Sequence, residues 1–502
     1  MVARFGNVRV KRGLLNFFIG KSVSAVGGLL AMVLVVHGLS IGDFATYSIL
    51  VALVEVFTAV SGLGLTHVIL RYVPELYASY QASALRFIVL AAFGLRSIVL
   101  VCALGVAWLF SDSIGSWIGV GNAIHALEAF LLIVALRSTN QFLSQILESM
   151  LHQGTAQTAF SLIAVGRCVG MLWLTNSNQV MLTDVIWLEV ICEAGAMCVM
   201  LFGIFDSLWS KKSNGDENVD DDWHNTNRTE VIRFATSAYL QHLATLPFGG
   251  NTNRLVGGAM FGSVMMASFG FALSLYEYAK RYLPTQLLIG LIRPIVVARY
   301  TTTRNFSVAA GLCEQSLQVN LVILTAMLAV LLVCGEELLG LISGGKYVEH
   351  SVVLLCVLLV FLGLETQRLV LEVLAQMVDH YEILIPTNLF LSLSVIGGVA
   401  GYALLGAVAF PIANLLALVI ANYWTAHRLA SMGFRYSHDW AGTGWSLVVF
   451  LISVLAGKLC QYAGIHWSIS LLVTLMVFGL LFLKIQLKPT IRFARELIGE
   501  KA

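Results

Sequence analysis

Charged side chains set within long apolar runs are the residues of this sequence that could do chemistry. The basic ones are Lys21, Arg96, Arg137, Arg167 and Arg368, with Arg254 at the end of a run. The acidic ones are Glu55, Glu148, Glu189, Glu193, Glu277, Glu365 and Glu372. Each costs about 2.5–3.5 kcal/mol at the centre of a membrane helix, so each needs a counter-charge or a wet cavity. Glu189 and Glu193 are four residues apart and share a helix face. Two carboxylates so placed repel unless one holds a proton or both meet cations. The pair is therefore a candidate proton carrier or a partner of Arg96, Arg137 or Arg167. Glu365, Arg368 and Glu372 fall at i, i+3 and i+7, which suits an intrahelical ion pair as well as a functional group. Lys21 lies a turn or two inside its run and can snorkel to the interface. Arg96 and Arg137 stand about ten residues from either end of theirs, too deep for that. They are the strongest candidates for cations facing a cavity. Substrate contact is accordingly expected of Lys21, Arg96, Arg137 and Arg254, and ion coupling of Glu55, Glu189, Glu193 and Glu277.

No catalytic residue, metal site or cofactor is expected. The sequence has no Walker-type glycine loop, no H-E-x-x-H and no G-x-S-x-G. Its eight cysteines lie in or at the ends of apolar runs, without C-x-x-C spacing, as packing residues do. Asp220, Asp221 and Asp222 belong to a polar stretch that reads as a solvated connection. Without an ATP site, energy for transport has to come from an ion gradient or from the gradient of the substrate itself.

The elements that must hold these charges are membrane helices. Of 502 residues 58% are apolar and only 12% charged, and the mean hydropathy is +0.84. Soluble domains carry roughly 25% charged residues, so the chain cannot cover a water-exposed surface. The apolar runs are continuous rather than alternating, which excludes a β-barrel and predicts an all-α polytopic membrane protein. The net charge of +2 gives no reason to expect nucleic acid. The spans number about fourteen. They are expected near 15–38, 45–66, 86–110, 126–150, 156–174, 183–205, 233–250, 257–280, 314–334, 351–375, 382–401, 406–427, 443–463 and 466–486. Most Lys and Arg fall in the alternate loops that share a side with both termini, which places the termini in the cytoplasm. The first span is of full length and lacks a small-residue cleavage site, so it reads as retained. The sequon at Asn227 falls on the same cytoplasmic side and is expected to carry no glycan.

An internal repeat organises the runs. Gly42 and Pro74 stand 32 residues apart, as do Gly262 and Pro294, around apolar segments 220 residues from each other. Trp117-Ile118-Gly119 and Leu341-Ile342-Ser343 precede their spans at an offset of 224, which Glu148 and Glu372 share. The reading is a six-helix bundle at 1–205, a cytoplasmic linker at 206–232, a second six-helix bundle at 233–428, and two extra helices with a basic tail at 429–502. Pseudo-symmetric halves of even span number are a common transporter design.

Several stretches resemble bacterial polysaccharide flippases of the multidrug/oligosaccharidyl-lipid/polysaccharide (MOP) exporter superfamily. They are Gly42-Asp43-Phe44 with Arg71-Tyr72-Val73-Pro74-Glu75; Asn253-Arg254-Leu255-Val256-Gly257-Gly258; the run from Leu338 to Tyr347; and the turn from Gly397 to Gly406. Where many relatives carry a glycine after the aromatic of the first stretch, this chain has Ala45-Thr46-Tyr47. The resemblance implies two six-helix bundles around a central cavity and transport by alternating access. The implied substrate is an undecaprenyl-diphosphate-linked oligosaccharide, moved from the cytoplasmic to the periplasmic leaflet of the bacterial inner membrane. Coupling to H+ or Na+, and cooperation with a polysaccharide polymerase and chain-length machinery, are also implied. Guanidinium groups suit a diphosphate because they bind it bidentately. Alternatives on the same fold are a peptidoglycan-precursor flippase and a drug/cation antiporter. The latter would favour an acidic cavity over one holding Arg96 and Arg137. A membrane oligosaccharide polymerase or ligase would need a sizeable outer loop, and the outer loops here are short.

Overall fold

The structure, a computed structural model, describes residues 7–78, 81–177, 180–209, 223–284, 300, 305–378 and 380–485. The centre of the expected linker, 210–222, lies outside the described residues, as do the basic tail from 486 and Pro294, the end of the second repeat segment.

The helices in chain order are α1 (Asn7–Gly38), α2 (Ile41–Gly62), α3 (Leu65–Ala78), α4 (Ala82–Leu109), α5 (Ser111–Trp117) and α6 (Ile124–Ser149). They continue with α7 (Gln153–Ser177), α8 (Leu182–Trp209), α9 (Trp223–Thr245), α10 (Gly250–Met260) and α11 (Ser263–Tyr282). The rest are α12 (Phe306–Ser343), α13 (Val348–Met377), α14 (Leu384–Ser392), α15 (Ser394–Leu405), α16 (Ala409–Ser431), α17 (Trp440–Tyr462) and α18 (Trp467–Ile485). The protein is an all-α polytopic membrane protein, and every expected span is largely helical, some of them divided between two helices. Among the described residues ten stretches are long and apolar enough to cross a bilayer, and α18 holds a shorter apolar run. The longest, Leu384–Ser431, folds back on itself at Gly406, where α15 packs along α16.

The spans expected at 233–250 and 257–280 are helical, as α9, α10 and α11, with the second interrupted between α10 and α11, and they are less apolar than the others. Gln241, His242, Asn251, Thr252, Asn253 and Arg254 dilute them. The run from Gly42 to Pro74 is also not one helix. Leu63 and Gly64 both take positive φ (46° and 71°), ending α2 and starting α3 in a new direction. At the head of α2, Ser40 Oγ accepts from the Asp43 backbone N–H (3.1 Å) and donates to Asp43 Oδ2 (2.8 Å). The acidic turn of that motif is a helix cap.

The chain divides into two compact units, one of 1–246 with 254–267 and one of 247–253 with 268–502. In the first, α1 lies along α7, α8 packs on α6 and α7, and α2 and α3 pack against α4 and α6. Ile69, Leu85, Phe142, Ile146 and Met200 are among the side chains of its core. In the second, α12 packs on α13, α17 and α18, while α16 closes against α13, α14 and α15.

Within the first unit two backbone contacts require glycine. A Cβ on Gly119 (φ +79°) would stand 2.0 Å from the Gly258 carbonyl oxygen, and one on Gly64 would stand 2.0 Å from that of Ala235. Gly119→Ala is expected to lower stability by about 2–4 kcal/mol, combining left-handed strain with overpacking. Thermal unfolding of the purified variant checks this. Gly105→Ala, where an added carbon meets open space, serves as the neutral comparison.

Candidate functional site

Four helices of the first unit converge on a buried cluster of charge. The i, i+4 spacing on α8 places Glu189 and Glu193 on one inward face, where they are 0% and 3% exposed. Opposite them α6 presents Arg137 and, one turn on, Asn140. Arg137 Nη2 donates to Glu189 Oε2 at 2.9 Å, and its Nε donates to Glu193 Oε1 at 2.7 Å. Arg167 of α7 forms an ion pair with Glu189 Oε1 and donates to the Tyr47 hydroxyl oxygen at 3.0 Å. Tyr47 of α2 donates to the same Oε1 at 2.6 Å. Asn140 Nδ2 holds Glu193 Oε2 at 2.9 Å and the Glu193 carbonyl at 2.9 Å.

Two guanidinium groups and two carboxylates leave the cluster neutral, and every carboxylate oxygen has a donor. That is the condition under which charge is tolerated in a membrane interior. Such a network fixes the rotation of each helix about its axis. Its charges are matched from within.

Arg96 is handled differently. It is 3% exposed on α4, and its Nη2 donates to the Ser138 carbonyl (3.3 Å) and hydroxyl (3.1 Å). Its guanidinium carbon lies 4.6 Å from the centre of the Phe142 ring. Among the described residues no carboxylate forms an ion pair with it, and its Nε has no acceptor. Among the described residues Arg96 is a buried positive charge that meets neutral oxygens and an aromatic face.

The second unit holds its own clusters. Arg368, 4% exposed on α13, donates to Glu372 Oε1 (2.9 Å), Thr425 Oγ1 (2.9 Å), Thr387 Oγ1 (2.8 Å) and Asn388 Oδ1 (2.7 Å). Glu365 accepts from the Tyr276 hydroxyl at 2.5 Å and from Lys280 Nζ at 2.7 Å. Near the start of α12, Glu314 binds the Asp439 backbone N–H (3.0 Å), Gln318 Nε2 (2.8 Å) and the Tyr436 hydroxyl, and His438 Nδ1 lies 2.9 Å away. Burial, reinforced by the Glu314 charge, pushes the Tyr436 phenol well above its ordinary pKa, so it stays a donor. This clamp fastens the connection between α16 and α17 to α12.

The chain is similar in structure to the lipid II flippase MurJ in its inward closed conformation. The TM-score is 0.66 at 13% identity, over 96% of this chain and 99% of that one. An inward-facing multidrug resistance MATE family transporter of the MOP superfamily aligns with a TM-score of 0.64 at 15% identity, over 83% of this chain and 99% of that one. A MATE protein in the straight conformation gives a TM-score of 0.55 at 15% identity, over 85% of this chain and 96% of that one. This chain shares the fold of these transporters. At that level the structure agrees with the resemblance read from the sequence. No protein-family model and no curated protein sequence matches the chain.

On this fold the candidate residues do not form one site. Glu189, Glu193 and Arg137 come together, joined by Arg167. Lys21 lies within electrostatic reach of Glu148. Glu55 is exposed on α2, Arg254 is buried on α10, and Glu277 is half-buried on α11. Two features went unread in the sequence. Tyr47 closes the Ala45-Thr46-Tyr47 stretch that follows Phe44, two residues past the position where the resemblance calls for glycine. The other is the polar character of α9 and α10. From Val231 to Tyr276 the chain carries Arg233, His242 and Arg254 and not one carboxylate. Gln241, His242, Thr245, Asn251 and Thr252 in this stretch are all partly exposed. The signal was a local fall in hydropathy.

Proposed function

We propose that this protein is a flippase that carries a polyprenyl-diphosphate-linked oligosaccharide across a bacterial cytoplasmic membrane, with both termini inside, for synthesis of a surface polysaccharide. The acid-free stretch from Val231 to Tyr276 carries this reading. Amide, hydroxyl and imidazole groups suit a sugar headgroup, and a net positive stretch suits a diphosphate. A cationic drug would be repelled. Arg254 and Arg96 are assigned to the anion, since guanidinium binds phosphate oxygens in a planar, bidentate manner. The polyprenyl chain stays in lipid and needs no polar site. Support also comes from the length of the match with a lipid flippase, 96% of this chain, against 83% and 85% for the two MATE proteins.

The test is a deletion strain in which lipid-linked oligosaccharide is labelled by a probe confined to one leaflet. Loss of the protein should trap the intermediate in the cytoplasmic leaflet, and Arg254→Gln should slow its appearance outside about tenfold with membrane levels unchanged. Normal arrival of the intermediate without the protein would overturn the proposal. Accumulation of a cationic dye in the deletion strain would point to a drug exporter instead. Ion coupling is assigned to Glu277, half-buried on the helix that ends this stretch. With Glu277→Gln, flipping should no longer follow an imposed proton or sodium gradient, and unchanged dependence would exclude the residue.

A further inference from the structure

An apolar groove of about 410 Å³ runs between α4, α6 and α8 on the first unit. Val89 and Phe93 of α4, Ile146 of α6, and Leu201, Phe205 and Trp209 of α8 are among its walls. Its volume falls within the range of ligand sites. Its walls are almost wholly apolar, although Phe202 and Phe205 are 73% and 60% exposed. A groove of this kind on a soluble protein would be an aggregation hazard. On a membrane helix bundle, exposed apolar side chains of this kind suit contact with lipid.

Its length and its mouth identify the occupant. The wall on α8 extends from Leu201 to Trp209, about 12 Å at the helical rise. One leaflet of hydrocarbon is about 15 Å deep. The groove is therefore about as long as one leaflet is deep, and its α8 wall ends at Trp209, where the linker begins on the side that the charge rule places in the cytoplasm. At the mouth stands Arg86, one turn before Val89. Its Nε donates to the Leu208 carbonyl at 3.0 Å, and its guanidinium carbon lies 5.8 Å from the Trp209 ring centre. Trp209 is stacked on Phe205 with centroids 4.8 Å apart. A tryptophan and an arginine at headgroup depth above an acyl-sized channel form an interfacial lipid anchor.

We propose that this groove binds an anionic phospholipid of the inner leaflet, with its phosphate against Arg86 and one acyl chain along α8. Arg86, which would hold the phosphate, is not among the residues assigned to the transported substrate, although Phe93 of the groove lies one turn from Arg96 on α4. The bound lipid holds α8 against α4 and α6, and α8 and α6 also carry Glu189, Glu193 and Arg137.

Native mass spectrometry of the full chain tests the site, after incubation in detergent with equal amounts of phosphatidylglycerol and phosphatidylcholine. The wild type should keep phosphatidylglycerol over phosphatidylcholine by about fivefold. Arg86→Gln should erase that preference, and Arg86→Lys should keep most of it. Leu201→Trp, which fills the groove with Arg86 intact, should reduce adducts of both lipids. The lysine and tryptophan variants still report if the glutamine variant does not fold. Equal occupancy by the two lipids in the wild type, or a preference that survives Arg86→Gln, would overturn the proposal. So would a dimer that excludes lipid from wild type but not from Leu201→Trp.

Discussion

Glu189→Ala is expected to be the most damaging single substitution in the first unit, costing about 3–5 kcal/mol. The residue is fully buried and accepts from Tyr47, Arg137 and Arg167 at once. Removing it leaves one carboxylate, Glu193, for two buried guanidinium groups, and it opens a cavity between α2, α6, α7 and α8. The loss of a partner weighs more than the loss of the bond, because an uncompensated charge in a low-dielectric interior has no water to turn to. Membrane yield and thermal unfolding in detergent should both fall sharply. Glu189→Gln retains the shape and an acceptor and should fall less. Replacing Arg137 and Glu193 together by methionine and leucine should be milder than either single change. A double-mutant cycle over that pair measures the coupling directly. Additive single effects would show that the network does not act as a unit.

Arg368→Met should produce the corresponding effect in the second unit. Four side chains on α13, α14 and α16 accept from this guanidinium. Methionine fills most of the volume but donates nothing. Hydrogen bonds to a charged group are worth about 1.5–3 kcal/mol each. Thr425 and Thr387 recover part of this by bonding their own helix carbonyls, which they already do (2.8 Å each). The expected net loss is therefore about 2–4 kcal/mol, below the sum of the four bonds. Glu372→Gln should be gentler, since its side chain is 31% exposed and can be partly rehydrated. If Arg368→Met unfolded at the wild-type temperature, the role assigned to Arg368 in joining α13, α14 and α16 would be wrong.

Both clusters show what local pattern reveals about a membrane protein. The shared face of Glu189 and Glu193 was legible because four residues make about one helical turn. The same rule identified Arg368 and Glu372, whose bond is intrahelical. The choice among Arg96, Arg137 and Arg167 as partners of the glutamates was not legible. Those contacts cross 22 to 56 residues of chain and depend on how α4, α6 and α7 are rotated about their axes. Packing turns Arg137 and Arg167 toward α8 and turns Arg96 toward Ser138 and Phe142. Glu314 was missed for a related reason. It meets Tyr436 and His438 more than 120 residues away, and no periodicity links them.

The sequence by itself determined that the chain crosses a membrane many times as helices. Apolar length and scarcity of charge decide that, because backbone polar groups in lipid must bond within their own segment. It also singled out several of the buried charges, Arg96, Glu189, Glu193, Arg254 and Arg368 among them, though not Glu314. The tertiary structure decided which of those charges cancel and which remain: Glu189 and Glu193 cancel against Arg137 and Arg167, while Arg96 keeps its charge. It also decided where the Gly42–Pro74 run breaks and how the α4–α8 groove forms beneath Arg86. These outcomes depend on the fit between helix faces distant in the chain, and hydropathy along a single helix does not encode that fit.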